Sequence, residues 1–456
     1  MFSRPHRILL ATGLGLASLS AFAASLSDPF GTQSDVKPYA PCAAPADSTA
    51  LSLSHVVDSA LCANPLTREV WANARFQAAQ LGISEAAWLP AASATASSGR
   101  SRSSGVTSDV RSVGLSASWL LFDFGTRSAT IENSRQLLVA ANATRDATVQ
   151  SLLLTAVQAF YQVQGAVASL DAARQAEAAA LESFKAADAR YKVGSATSAD
   201  KLQAQTALSQ AQLTRISAEG SLKTQQGVLN QVIGRDAQRP IVIAATEQSQ
   251  PPESFERNLE ALVTEARRQR PDLLAAEAQV AAADASINAA RAAHLPSISL
   301  GFSASDQKTG TLPDLRSGSV GVTLSVPLFS GFATTYKVEQ AQAQKEVREA
   351  QADRLRLQVA QDVWSAWQSL QTSTQSVRTT ADLIASAEQS DKVARGRYAA
   401  GVGTLLEMLN AQSALASARQ QRVQALYTWN VARATLAQAL GTLDTNQIAA
   451  DTAQRP

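Results

Sequence analysis

Two stretches of this chain repeat one another about 207 residues apart, and each repeat carries both a two-residue and a helical periodicity. Arg190-Tyr191-Lys192-Val193-Gly194 returns as Arg397-Tyr398-Ala399-Ala400-Gly401, and Asp200-Lys201-Leu202 as Glu407-Met408-Leu409. Leu89-Pro90 returns as Leu295-Pro296, and Gly234 as Gly441. The offset drifts by a single residue across the whole stretch, so an entire folding unit is duplicated and both copies must hold the same elements.

Each copy begins with a helical pattern, over 51–88 and between Pro271 and Pro296, ended by proline. Two alternating segments follow. In 297–305 the apolar positions are Ile298, Leu300, Phe302 and Ala304, against Ser and Gly. In 319–328 they are Val320, Val322, Leu324, Val326 and Leu328. The first copy has Val113, Leu115, Ala117, Trp119 and Leu121, and a weaker alanine face at 92, 94 and 96. Strict period two predicts strands, with loops near 99–111 and 306–318.

Helices take over after Gly125 and Phe332. Val149, Leu152, Ala156, Phe160, Val163, Val167 and Leu170 step by three or four residues, and Val359, Val363, Trp367 and Leu370 match them. Ala333 to Arg395 holds no Gly or Pro for 63 residues, ~95 Å of helix at ~1.5 Å per residue. Gly194 and Gly401 mark the far turns, and Gly234 and Gly441 the ends of the return helices. The fold class is mostly α with a small β part. Its predicted divisions are a signal peptide 1–23, an irregular segment 24–50, a first repeat 51–234, a linker 235–262, a second repeat 263–441 and a tail 442–456.

Arg4, His6 and Arg7 precede a mostly apolar stretch ending in Ala21-Phe22-Ala23, the pattern of a cleaved export signal. Beyond it, Cys42 and Cys62 are the only cysteines. An oxidising compartment permits a disulfide between them, with two unlinked thiols as the alternative. His55 and His294 have no ligand-spaced partner, and neither a phosphate loop nor GxSxG occurs. No enzyme, cofactor or metal is expected. A net charge of +2 without a basic run gives no sign of nucleic-acid binding.

Four strands leave two unpaired edges, which a bilayer does not tolerate. Three copies would supply twelve strands, enough for a barrel with its apolar face on lipid and its small polar face on water. The lipid-facing residues are then Val113, Leu115, Trp119, Ile298, Leu300, Phe302, Val322, Leu324 and Val326. Trp119, Phe122, Phe124, Phe329 and Phe332 cluster where strands become helices, as an interfacial belt does. An arginine at Leu324 is expected to cost about 2–4 kcal/mol if it lies near the midplane. A soluble sheet packed on helices, or a periplasmic coiled-coil scaffold without a pore, is the alternative.

The duplicated unit, with Leu121-Phe122-Asp123-Phe124-Gly125, Leu328-Phe329-Ser330-Gly331-Phe332 and the two Arg-Tyr-x-x-Gly turns, resembles the TolC family of outer-membrane channel-tunnels over roughly 51–441. Leu61-Cys62-Ala63-Asn64-Pro65-Leu66-Thr67-Arg68 resembles its CyaE-like type I secretion branch. The resemblance implies a homotrimer in the outer membrane of a Gram-negative bacterium, a twelve-stranded barrel continuous with a periplasmic α-helical coiled-coil barrel. Its partners would be a periplasmic adaptor (a membrane fusion protein), an inner-membrane ABC or proton-driven translocase, and outer-membrane lipid. Small-molecule efflux is the alternative to protein export. The resemblance places a gate at Asp200, Glu407, Asn410 and Tyr398, with departures from the family at Asn410 and Gly403. It places the adaptor-contact tip at Arg190, Gly194, Arg397 and Gly401. The alternative reading takes Asp200 and Glu407 as acids at helix N-termini, and the arginines and glycines as C-terminal charges and caps.

Overall fold

The computed structural model describes residues 28–36, 50–103, 106–244, 258–310 and 313–444. The predicted signal segment and Cys42 lie outside them. Proline divides the first helical stretch into α1 (Leu53–Ala63) and α2 (Pro65–Glu85). Strands β1 (Ala91–Ser103) and β2 (Val106–Phe122) follow, then α3 (Thr126–Lys192) and α4 (Ser198–Val232). The second copy gives α5 (Leu259–Gln269), α6 (Pro271–Ala292), β3 (Ser297–Thr309), β4 (Leu315–Ser325), α7 (Ala333–Ala399) and α8 (Leu405–Ala439). The protein is mostly helical with one small antiparallel sheet. No helix among the described residues is long and apolar enough to cross a membrane.

The strands extend well into the segments expected to be loops. Arg100, Arg102, Asp109, Arg111, Asp306, Lys308 and Arg316 are all strand residues. Hydropathy alternation marks only an apolar band; once both faces turn polar, the period persists in the backbone but vanishes from the pattern. β4 ends at Ser325, so Val326, expected in the strand, lies past its end, next to Pro327, which cannot donate to a ladder.

The described residues form two compact units, each assembled from both sequence copies: 28–36, 71–142 and 275–352 in one, 50–70, 143–274 and 353–444 in the other. The first holds the sheet, in order β1-β2-β3-β4. Below the strands Ala74, Ala78 and Leu81 of α2 pack on Ile131 and Leu138 of α3, and small side chains allow close approach of the helices. Asn133 Nδ2 donates to Ala282 O at 2.7 Å and Ser286 Oγ at 2.9 Å.

The second unit has two related cores. Leu152, Ala156, Phe160 and Val163 of α3 pack with Val56, Val57 and Ala60 of α1 and Leu229 and Ile233 at the end of α4. Val359, Val363 and Leu370 of α7 pack with Leu262 and Ala266 of α5 and Trp429 and Leu436 of α8. Most of the heptad-like positions read from sequence therefore point inward; Val149 and Trp367 are partly buried, and Val167 is exposed because it lies beyond the contact with the short helix α1. Gly234 (φ 74°) and Gly441 (φ 76°) close α4 and α8. A Cβ on Gly234 would lie 2.6 Å from Ala63 O, and one on Gly441 2.9 Å from Gln269 C. Each glycine thus seats a helix end against the break before Pro65 or Pro271.

Cys62 is disulfide-bonded, and the chain has one other cysteine, Cys42. Of the predicted linker 235–262, residues 235–244 and 258–262 are described, and its end is already helix, since α5 starts at Leu259 behind the Asn258 cap. Ala237 O and Arg239 O accept from the buried Asn230 side chain, and Leu51 forms a parallel bridge with Ile243.

Candidate functional site

The sheet separates chemistry by face. Register pairs Leu115 with Ala304, Trp119 with Leu300, Ile298 with Leu324 and Phe302 with Val320, so these apolar side chains share one side. Val113, Leu115, Trp119, Phe302, Val320, Val322 and Leu324 are all exposed there. An irregularity between Leu120 and Phe122 returns Phe122 to the same side, opposite Ile298. The other face is lined with hydroxyls. Ser93–Ser116, Ser97–Ser112, Ser303–Ser319 and Ser305–Ser317 form cross-strand Oγ···Oγ hydrogen bonds of 2.8–2.9 Å. Every ionisable strand residue stands on the apolar side, and none on the hydroxyl face. β1 and β4 each have one edge without a partner among the described residues.

In the other unit, the two helical turns carry the predicted tip and gate residues, and bring Arg190 to Tyr398 and Arg397 to Glu407. Both turns are Schellman motifs. Ser195 N donates to Arg190 O (2.9 Å) and Gly194 N to Tyr191 O (3.0 Å); Val402 N donates to Arg397 O (3.0 Å) and Gly401 N to Tyr398 O (3.1 Å). Both glycines have φ 77°. Arg190 reaches across to the second turn, where its Nη2 donates to Tyr398 O (2.6 Å) and Ala399 O (3.2 Å) and its guanidinium stacks 4.2 Å from the Tyr398 ring centroid. Arg397 stays on its own turn, with Nη2 3.4 Å from Val402 O and 3.8 Å from Glu407 Oε2. Tyr398 is buried with Ala187, Ala204, Leu405 and Met408, and its hydroxyl has no hydrogen-bond partner among the described residues.

Asp200 and Thr197 form a capping box at the start of α4. Thr197 N donates to Asp200 Oδ2 at 2.9 Å and Thr197 Oγ1 at 2.8 Å, and Asp200 N donates back to Thr197 Oγ1 at 3.2 Å. The Thr197 backbone N–H, then its hydroxyl, hold the Asp200 carboxyl below its ordinary value. Thr404 caps α8 by accepting from Glu407 N at 3.2 Å, while the Glu407 carboxylate is exposed and turned toward Arg397. Asn410 is exposed. A side chain at Gly403 would press on Arg397 and Tyr398 backbone atoms 3.2 Å away.

Residues 56–235 and 262–442 match the family described as outer membrane efflux protein. The chain belongs to this family. It is 33% identical over 394 residues to protein CyaE of Bordetella pertussis, covering 84% of this chain and 82% of that protein. It is 30% identical to the outer membrane efflux protein BepC of Brucella suis, covering 84% of each. Its fold is similar to the crystal structure of the Campylobacter jejuni CmeC outer membrane channel, with a TM-score of 0.77 at 19% identity, over 88% of this chain and 89% of that one. As an outer membrane efflux family member, the protein is a passive outer-membrane channel with periplasmic helices, and not an enzyme. Among the described residues no three His, Cys, Asp or Glu side chains are placed to hold a metal.

For a channel of this family, the residues missed by sequence are those whose role is tertiary. Arg127, buried at 6% exposure, donates to Ala87 O (3.2 Å), Leu120 O (2.6 Å) and Leu121 O (3.2 Å) and stacks 4.1 Å over Trp88. Its Nε lies 3.3 Å from Asp123 Oδ2, an ion pair without hydrogen-bond geometry. This arginine fixes the passage from strand to helix in the first copy, next to Phe124 at φ 51°. The second copy has threonine at the matching position, and Phe332 at φ 64° makes the corresponding bend. At the turns, Val193, Leu202, Val402 and Leu406 are exposed apolar residues that no periodicity singled out.

Proposed function

We propose that three copies join through their β1 and β4 edges into a twelve-stranded barrel, forming the outer-membrane exit duct of a tripartite machine for type I protein secretion. The observation that carries this is the sheet: one apolar face, one uncharged hydroxyl face, and two open edges. From Val113 to Phe122 is about 30 Å of strand at ~3.3 Å per residue. At a tilt of about 40° it would rise roughly 23 Å, close to the ~25 Å apolar band of outer-membrane barrels. The similarity to CyaE favours protein cargo. The similarity to BepC, named an efflux protein, supports small-molecule efflux as the second reading.

The exposed apolar residues of the two helical turns suit a periplasmic adaptor, with Arg190, Gly194, Arg397 and Gly401 shaping that surface. Glu407, with Asn410 one turn along α8, would face its symmetry mates at the constriction, and Tyr398 and Asp200 would set how the turns close. Three carboxylates near one axis would favour cations. Single-channel recordings of Glu407→Ala should show lower cation selectivity and weaker divalent-cation block; unchanged selectivity would remove Glu407 from the constriction.

Counting subunits and recording planar-bilayer conductance of the purified protein tests the channel itself. A monomer soluble without detergent would refute it. Deleting the gene separates the cargo classes: loss of an extracellular protein with unchanged sensitivity to toxic small molecules supports secretion, and the reverse supports efflux.

A further inference from the structure

The strand ends beyond the apolar band carry cations that the sheet itself does not use. Arg111 stands two residues outward from Val113, on the same side, and is paired in register with Lys308 of β3. Like charges directly opposite one another destabilise a sheet. Lys308 meets Asp314 at 2.8 Å, Arg100 meets Asp109 at 2.7 Å and Arg316 meets Asp306 at 3.2 Å. Each of these acids thus already has a cation. Arg111 and the exposed Arg102 have no acidic partner among the described residues. The opposite face at the same level has no charge at all, so the excess is one-sided.

We propose that this rim binds the phosphate groups of the outer-leaflet glycolipid. The inference rests on the channel reading, which puts the apolar face on lipid and the β-hairpin ends, away from the periplasmic helices, at the outer surface. Cations immediately beyond an apolar band then stand at headgroup depth, where a phosphate offers acceptors to guanidinium donors. An anion held by Arg111 would stand beside Lys308 in register, whose own ammonium is paired with Asp314. Water in a pore would select no such sidedness; a phosphorylated bilayer surface would. The lipid phosphate would hold the barrel at a fixed depth, with the aromatic cluster of Trp119 and Phe122 marking the opposite boundary.

The test is native mass spectrometry of the full chain in mild detergent, offered a bisphosphorylated glycolipid, the same lipid dephosphorylated, and inorganic phosphate. The protein should retain the phosphorylated lipid preferentially. Arg102→Ser and Arg111→Ser should each weaken retention about fivefold, as expected for one charge at a membrane surface, and Arg111→Lys should keep most of it. Equal retention of both lipids, unchanged retention in the double serine variant, or full displacement by millimolar inorganic phosphate would overturn the proposal. If the wild-type protein conducts in bilayers yet shows no lipid preference, this inference alone fails. If it neither conducts nor inserts, the channel reading fails and takes this one with it.

Discussion

Arg190 and Arg397 occupy matching places in the duplication and do different work. Arg190 satisfies the last carbonyls of α7 from outside, adding positive charge where the helix dipole is negative, and stacks on Tyr398. Arg190→Ala removes charged hydrogen bonds of about 1.5–3 kcal/mol and frees the second turn. Hydrogen exchange over 396–404 should accelerate, and single-channel openings should lengthen. Arg190→Lys should not restore protection, because a lysine cannot both stack and fork; full rescue by lysine would reduce the contact to charge alone. The Asp200 cap makes a separate prediction. Its carboxyl is held below the ordinary value in the folded protein, so its contribution is complete above the unfolded-state pKa and is lost as pH falls through the depressed one. Exchange protection at the start of α4 should hold at neutral pH and decline only in acid, and Asp200→Asn should flatten that decline. Thr197→Ala, which removes the other half of the box, should cost about 0.5–2 kcal/mol at neutral pH.

At the scale of elements, four glycines in left-handed conformation end the four long helices, and their surroundings rank their substitutions. Gly194 and Gly401 have open space around them, while Gly234 and Gly441 touch backbone of the preceding helix pair. Gly194→Ala and Gly401→Ala should therefore cost only the conformational penalty, roughly 1–2 kcal/mol. Gly234→Ala should cost clearly more, since its Cβ would sit 2.6 Å from Ala63 O. Thermal unfolding of Gly194→Ala and Gly234→Ala side by side checks this, and equal losses would mean that the α1–α2 break yields easily. These glycines were legible because the end of a helical period followed by Gly is a local signal. The apolar strand faces were legible for the same reason, at Val113 to Leu121 and Ile298 to Ala304. The outer halves of β1 and β3 were not, because charged side chains alternate with uncharged polar or small ones there and no hydropathy contrast remains. The targets of Arg190 and Arg127 could not be read either, because they are backbone carbonyls distant in sequence or hidden by a turn.

For the whole molecule, the decisive matter is which sheet face meets lipid, and the register sharpens how to ask it. Leu324 was the sequence-based choice for an arginine probe, but it pairs with Ile298, opposite Phe122, at the helix-side boundary of the apolar band. Val320 pairs with Phe302, opposite Ala117, midway between Phe122 and Val113. The cost of arginine on a lipid face is about 2–4 kcal/mol at the midplane and falls to about 0–1 kcal/mol near an interface. Val320→Arg should therefore abolish assembled protein in the outer membrane, while Leu324→Arg should be nearly tolerated. Ser319, next to Val320 on the hydroxyl face, gives up only an exposed 2.9 Å contact to Ser303. Ser319→Arg should assemble normally, narrow the pore and shift its selectivity toward anions. Detergent-resistant oligomer on gels and bilayer conductance read all three variants. If Val320→Arg assembles while Ser319→Arg does not, the hydroxyl face is the one packed away from water and the barrel is inside out. If both assemble without changing conductance, the sheet encloses no pore, and the open edges of β1 and β4 must pair in some other way.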